Sequence, residues 1–328
     1  MANFLIRRLI YMVITLILAS LIGFFLIELP PGDIVDVKIS QLRRVSGTVS
    51  QDQIADLERR YGVNDPLPVK YWKWLSRTVR GDFGNSFETD LPVGPTIMQR
   101  LPITIALTFG TALFSWLISI PLGVYIATHR YSIPDYVITL LQFLGIAIPN
   151  FALALVLMAF GAFVLKQDVG VGFFSRDYID APWSWNKFLN LLSNLWIPVI
   201  VLGAGATAGL TRVMRANLLD VLNAQYVQTA RAKGLKENAV IWKHAVRNAV
   251  HPLVMAIGYI FPALVAGEAL AAVILNLPTL GALYLRALQA TDMYVGITIL
   301  MLQCIMLLIG NLVADLLLAW VDPRIRLS

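Results

Sequence analysis

The chain has 328 residues, of which 58% are hydrophobic and only 14% charged, with a formal net charge of +6 and a mean hydropathy of +0.70. That balance excludes an ordinary water-soluble domain and a disordered tail, and it fits a polytopic membrane protein. The lone cysteine, Cys304, rules out an intrachain disulfide and a cysteine-based metal site.

Six apolar runs lie near Leu9–Ile27, Ile103–Ala127, Val137–Leu165, Leu195–Leu210, Leu253–Leu275 and Val295–Trp320. Crossing a hydrocarbon core of about 30 Å takes roughly 20 helical residues. Each run is expected to be a helix, because backbone polar groups in lipid must be satisfied within the segment. The expected fold is all-α and polytopic, with six transmembrane helices. The first run begins with Arg7 and Arg8, but its apolar stretch is long for a signal peptide. Leu29-Pro30-Pro31 follows it in place of a small-x-small cleavage site, so residues 1–29 read as an uncleaved N-terminus and first span.

Residues 30–101 are expected to form a small extracytoplasmic cap between the first two spans. Ser50-Gln51-Asp52-Gln53 fits a capping box. Ile54, Leu57 and Tyr61 then recur at helical spacing, and Gly62 suits a stop. Pro66 and Pro68 mark a turn. Val69–Val79 reads as an amphipathic helix with Tyr71, Leu75 and Val79 on one face, and Gly81-Asp82-Phe83-Gly84-Asn85-Ser86 is rich in turn formers. A purely structural loop is the alternative reading of this cap.

Residues 102–328 carry the other five spans. The connection Lys166–Asn194 holds Phe173, Phe174, Tyr178, Trp183 and Trp185, which fit an interfacial aromatic belt better than a ligand box. Pro121, Pro149, Pro198 and Pro262 are expected to kink their spans, and Gly205-Ala206-Thr207-Ala208-Gly209 allows close helix approach. Glu268 and Asp315 are the acids nearest the span interiors. Glu268 is expected near a span end.

The segment 212–251 is polar and basic between apolar runs. Ala224–Leu235 has helical composition, and Val227, Ala230 and Gly234 share one face by spacing. A small-residue face can seat a helix in a groove of another protein; a basic helix lying on anionic lipid is the alternative. With six spans both termini share a side with Arg7, Arg8, Arg130, this segment, Arg324 and Arg326. The positive-inside rule makes that side cytoplasmic. The net positive charge reflects this asymmetry rather than a nucleic-acid footprint.

Gln225-Tyr226-Val227-Gln228-Thr229-Ala230-Arg231-Ala232-Lys233-Gly234-Leu235, followed by His244-Ala245-Val246-Arg247-Asn248-Ala249 and Pro252, resembles the cytoplasmic signature of ABC-importer permeases, most closely the dipeptide/oligopeptide branch. Gln228-Thr229-Ala230 falls where the general motif has Glu-Ala-Ala. Arg7-Arg8-Leu9, Pro31-Gly32-Asp33, the Tyr61–Tyr71 run, Gly81–Ser86, Asn311–Asp315 and Asp322–Arg326 also match, so the resemblance covers nearly the whole chain. Val246-Arg247 replaces the general Leu-Pro, and Pro278-Thr279-Leu280-Gly281 stands for the family's Pro-Gly-Leu-Gly.

The resemblance implies a type I ABC importer permease fold in the cell (inner) membrane. It implies a second homologous permease, two cytoplasmic ABC ATPase subunits and an extracytoplasmic solute-binding protein as partners. It makes Tyr226, Val227, Gln228, Thr229, Ala230, Arg231, Ala232, Lys233, Gly234 and Leu235 the ATPase-coupling residues. Peptides are the expected solutes; oligosaccharides, nickel complexes and opine-like compounds are alternatives within the family. No G-x-x-x-x-G-K-[ST] loop occurs, so ATP hydrolysis belongs to a partner, and neither a cofactor nor enzymatic activity is expected of this chain. An ion-coupled secondary transporter would need intramembrane ionisable groups and often shows repeat symmetry. An intramembrane enzyme would need a catalytic constellation that His129, His244 and His251 do not supply.

Overall fold

The structure, a computed structural model, describes residues 2–28, 39, 50, 51, 53–55, 65–166 and 172–321. Among these, all regular structure is helical apart from one isolated antiparallel bridge, Asn85 to Pro92. In chain order the helices are α1 Ala2–Glu28, α2 Leu67–Val79, α3 Val93–Thr128, α4 Ile133–Ala147, α5 Asn150–Phe163, α6 Trp185–Leu222 and α7 Gln225–Ala232. There follow α8 Glu237–Ala239, a π-helical stretch Val240–Ala245, α9 Val246–Ala249, α10 His251–Met255, α11 Ile257–Ile274, α12 Leu280–Gln289 and α13 Met293–Val321.

Four helices are long and apolar enough by themselves to cross a membrane: Ile6–Leu26 of α1, then α3, α6, and Met293–Leu318 of α13. Two bent pairs bring the total of candidate spans to as many as six. One pair is α4 with α5, which meet at 108°, and the other is Glu237–Ala263 with Val265–Ile274, bent by 50°. The run expected as one span over Val137–Leu165 is thus two helices. Ile148 is extended, as a residue before proline prefers, and Pro149 cannot donate to the preceding turn. Pro198 and Pro262 stay inside helices. The second bend falls two residues after Pro262.

The chain divides into two compact units, Met1–Pro102 with Leu283–Ile305, and Ile103–Ala282 with Met306–Ser328. In the first unit, α2 packs on the end of α1. Phe24 meets the Tyr71 ring edge-on at 5.4 Å, the Ser20 and Tyr71 hydroxyls are 2.8 Å apart, and Lys70 pairs with Glu28 at 3.2 Å. The inward face is Tyr71, Trp74, Leu75 and Thr78; Val79, expected on it, is 78% exposed. Pro68 does not mark a turn but sits in the first turn of α2, where its fixed φ suits the helix. The Ser50 capping box closes reciprocally, Gln53 N–H donating to Ser50 Oγ (3.3 Å) and Ser50 N–H to Gln53 Oε1 (3.1 Å). Leu57, Tyr61, Gly62, Pro31-Gly32-Asp33 and Asp322–Arg326 lie outside the described residues.

The Gly81–Ser86 run folds around an acid that its sequence does not advertise. Asp292 is 2% exposed and accepts from the Ser86 hydroxyl and from the Glu88 N–H. It also caps α13 by accepting from Val295 N–H at 3.3 Å. Gly84 has φ +78°, and a Cβ there would come within 3.2 Å of the Tyr294 ring, so the turn needs glycine twice over.

The second unit has two apolar cores. One joins α3, α5, α6 and α11 around Leu107, Ala154, Val201, Ala271 and Leu277. The other, around Met214, Leu218, Val227, Val240 and Leu253, joins α6 to the polar segment that follows it. Helices approach closely where side chains are missing. A Cβ on Gly123 would lie 2.6 Å from Met214 Cβ, and one on Gly145 would lie 3.4 Å from the Ala204 carbonyl.

The connection before α6 is built on Lys187. This lysine is 7% exposed. It donates to the carbonyls of Ile179 and Ala181 and lies 4.8 Å and 5.7 Å from the Phe174 and Trp183 rings. Those two aromatics, expected in an interfacial belt, stand beside the lysine of their own chain, and Trp183 remains 72% exposed.

Candidate functional site

The segment 224–255 is a short helix held on a rigid seat. Asn223 ends α6, and α7 begins at Gln225 without a side-chain cap. Val227 is 0% and Ala230 6% exposed, and both pack with Val124, Met214, Leu218, Val240, Ala245 and Leu253. The small-residue face expected to enter a partner is therefore turned inward. Helical spacing groups Val227, Ala230 and Gly234; Val227 and Ala230 form the anchor, whereas Gly234 lies beyond the end of α7 and is exposed. Burying a valine is worth about 1.5–3 kcal/mol, enough to fix a two-turn helix that could not hold alone.

Polar contacts complete the seat. The Gln228 side-chain amide donates to the Leu222 carbonyl at 3.2 Å, satisfying one of the orphan acceptors at the end of α6. A carboxylate at this position, as in the general Glu-Ala-Ala motif, could not donate that bond. Thr229 Oγ1 donates back to the Gln225 carbonyl, and Asn248 Nδ2 donates to the Tyr226 hydroxyl oxygen at 2.6 Å. Arg231 forks onto Glu237, with Nη2 at 2.6 Å and Nε at 3.1 Å from its carboxylate oxygens. This pairing holds the Arg231 guanidinium above its ordinary pKa. The pair brackets the turn at Lys233 and Gly234. Gly234 has φ +74°, donates to the Arg231 carbonyl at 2.9 Å, and has nothing within 4 Å of where a Cβ would stand.

What this seat offers outward is a contiguous set from the same segment: Tyr226, Gln228, Thr229, Ala232, Lys233, Gly234 and Leu235 are exposed, with Arg231 half-buried. Leu235 is 43% and Trp242 48% exposed, apolar side chains on an otherwise basic surface. The π-helical stretch supports this presentation: Val240 and Ala245 are buried while Trp242 and Lys243 face out. A wide turn of this kind is common at functional positions.

A second feature of the same unit is a half-open cavity of about 450 Å³, flanked by α3, α6 and α11. Gly205 and Gly209 of the G-x-x-x-G line it together with Thr111, Trp116, Asn150 and Glu268. Gly205 also approaches α4, since a Cβ there would lie 3.5 Å from the Gly145 carbonyl, whereas Gly209 faces open space. Glu268 was expected near a span end; it lies inside α11 and is 0% exposed. Its carboxylate packs against the first turn of α12, next to Thr279 and Gly281.

Gly281 is required by that contact, because a Cβ there would lie 2.8 Å from Glu268 Cγ and 2.8 Å from the Val265 carbonyl. Thr279, where the family pattern has glycine, needs no positive φ. Its hydroxyl accepts from Ala282 N–H at 3.5 Å as the cap of α12, and the left-handed position of the loop is taken by Asn276 at φ +51°.

Comparison with known proteins gives the family. Residues 119–327 match the binding-protein-dependent transport system inner membrane component, and residues 1–108 match the N-terminal part of the same membrane component. The oligopeptide transport system permease protein AppB of Bacillus subtilis is 37% identical over 331 residues, covering 99% of this chain and 100% of its own length. The glutathione transport system permease protein GsiC of Escherichia coli K12 is 31% identical over 327 residues, covering 99% of both chains. A probable peptide ABC transporter permease, y4tP of Sinorhizobium fredii, is 30% identical over 327 residues. The chain accordingly belongs to the binding-protein-dependent transport system inner membrane components, in their peptide-type ABC permease branch.

Proposed function

We propose that this chain is the transmembrane permease subunit of an ATP-driven importer for short peptides, coupled to a separate ATPase through α7. The observation that carries the coupling is the packing of α7. Val227 and Ala230 lock the helix to α3, α6 and the π-helical stretch, so a force on its outer face is passed to membrane helices rather than absorbed by a floppy loop. The contact face on this reading is Tyr226, Gln228, Thr229, Ala232, Lys233, Gly234 and Leu235 with the Arg231 head, while Val227 and Ala230 transmit. ATP-driven closure of a pair of ATPases moves two such helices, one from this chain and one from a second homologous permease, and switches the pathway between its two faces.

On the same reading both bent pairs cross the membrane, giving six spans with both termini cytoplasmic, as the placement of Arg7, Arg8, Arg130, Arg212 and Arg215 supports. Residues 30–101 then form an extracytoplasmic cap, available to a solute-binding protein. Peptides are the solute class because relatives along the full length are named for oligopeptide and glutathione transport. The test is uptake of a labelled oligopeptide into proteoliposomes containing the transporter extracted with its partners. The expected result is uptake that requires both ATP and the binding protein. Uptake driven by an ion gradient without ATP would refute the proposal in favour of a secondary transporter.

A further inference from the structure

We propose that α2 lies in the membrane surface, with its outer face among lipid headgroups and selective for anionic ones. The inference needs only that α1 crosses the membrane; it depends neither on the solute nor on the ATPase. The contacts between α2 and α1 set its depth. The apolar span of α1 is Ile6–Leu26. At a rise of about 1.5 Å per residue, Ser20 lies about 9 Å inside the Leu26 end of that span and Glu28 about 3 Å beyond it. The Tyr71 hydroxyl meets Ser20 Oγ at 2.8 Å, the Trp74 ring lies 6.0 Å from that of Phe24, and Lys70 pairs with Glu28 at 3.2 Å. These contacts make α2 straddle the boundary between acyl chains and headgroups, the depth at which amphipathic surface helices rest. At the same level α1 keeps Ile22, Phe25 and Leu26 exposed, side chains that belong against lipid.

The outer face of α2 is divided as that position requires. Val69, Trp72 and Val79, at i, i+3 and i+10, form one stripe and are 42%, 69% and 78% exposed. Lys73 and Arg77 of the helix and Arg80 at its end, at i, i+4 and i+7, form the neighbouring stripe and are exposed as well. Lys73 is paired with Asp65 at 2.6 Å. The guanidinium groups of Arg77 and Arg80 have no partner among the described residues.

A tryptophan ring is at home at the headgroup level, and long basic side chains lay their stems along apolar surface while the charge reaches outward. Two guanidinium groups without a protein counter-charge match lipid phosphates. Each cation at an anionic surface favours such lipids by about fivefold. A soluble partner would have to enter the headgroup layer to cover the same face.

The experiment places the fluorescent amino acid dansylalanine at Val79, the most exposed of the stripe, in the complete transporter complex in phosphatidylcholine nanodiscs. The quenchers are aqueous iodide and two lipids with a nitroxide at the headgroup end of an acyl chain, one phosphatidylcholine and one phosphatidylglycerol. Strong quenching by both lipids and weak quenching by iodide is expected. The phosphatidylglycerol is expected to reach half-quenching at a mole fraction at least about fivefold lower than the phosphatidylcholine. Arg77→Gln together with Arg80→Gln is expected to erase that difference and leave quenching by the phosphatidylcholine unchanged. The same probe at Trp72 gives the reading if the Val79 variant does not assemble. Quenching by iodide alone overturns the placement by putting the face in water. Quenching by none of the three overturns it by putting the face against protein. Equal half-quenching by the two lipids overturns the selectivity for anionic headgroups.

Discussion

Replacing Gly234 by valine separates backbone conformation from steric fit. The φ of +74° lies in the left-handed region, and a Cβ at this position would meet nothing within 4 Å. No clash arises, so the cost is conformational, about 1–2 kcal/mol for an L side chain and at the upper end for a β-branched one. That changes the population of the closed turn by a factor of about 5–30. The turn is short and exposed, with the Arg231–Glu237 pair on its two sides, so the loss concentrates between Lys233 and Leu235 rather than in the buried anchor at Val227. Asparagine tolerates the left-handed region and is expected to recover most of the loss. Two assays read the outcome. Amide exchange across 231–237 is expected to rise about tenfold in Gly234→Val and little in Gly234→Asn. On the coupling reading, peptide uptake per ATP hydrolysed falls in the same order while both variants insert normally. Equal exchange and equal coupling in the two variants would refute the backbone argument, and full coupling in Gly234→Val would count against α7 as the coupling helix.

Other substitutions test separate contacts. Asp135 is 3% exposed; it accepts from Arg215 at 2.8 Å and from Tyr131 N–H at 3.0 Å. Asp135→Asn is expected to cost about 3 kcal/mol in detergent unfolding, the low end for a broken buried pair because Arg215 remains partly exposed. Gly123→Ala places a methyl 2.6 Å from Met214 Cβ; an overpacking cost of about 1–3 kcal/mol is expected, and Met214→Gly, which removes that Cβ, is expected to relieve part of it in a double-mutant cycle. Gln228→Glu loses the amide bond to the Leu222 carbonyl, for an expected loss of about 0.5–1 kcal/mol at this exposed position, read as faster exchange at the end of α6. Arg231→Ala and Glu237→Ala are each expected to cost less than about 1 kcal/mol, with a cycle coupling of about 0.2–1 kcal/mol, because the pair is exposed.

The membrane helices were legible from apolar run length, since a run that must satisfy its own backbone in lipid has few other conformations. The break inside Val137–Leu165 was not: Pro149 permits a kink or a full stop, and the choice of 108° is made by the packing of α4 and α5 on α6. Around α7, spacing grouped Val227 with Ala230 correctly and with Gly234 wrongly, and periodicity cannot say whether a face meets its own chain or another. The burial of both in a core that includes Met214 and Leu253, distant in sequence, settles the direction. Lys187, Asp292 and Glu268 were missed as buried groups for a related reason. Each is satisfied or held by atoms supplied from loops or helices that local patterning does not connect to it, as Ser86 is to Asp292 across 206 positions. The one local signal was the glycine of Pro278-Thr279-Leu280-Gly281, which the approach of Glu268 requires.

The most direct test of the central claim is to place a photo-crosslinking amino acid at Leu235, an exposed position just past the end of α7, irradiate intact cells, and identify the products by mass spectrometry. The account predicts a covalent adduct with a separate, Walker-motif ATPase, lost when the same probe replaces the buried Val227. Adducts to lipid alone, from a chain that still transports peptide, would contradict it and make α7 a membrane-surface helix.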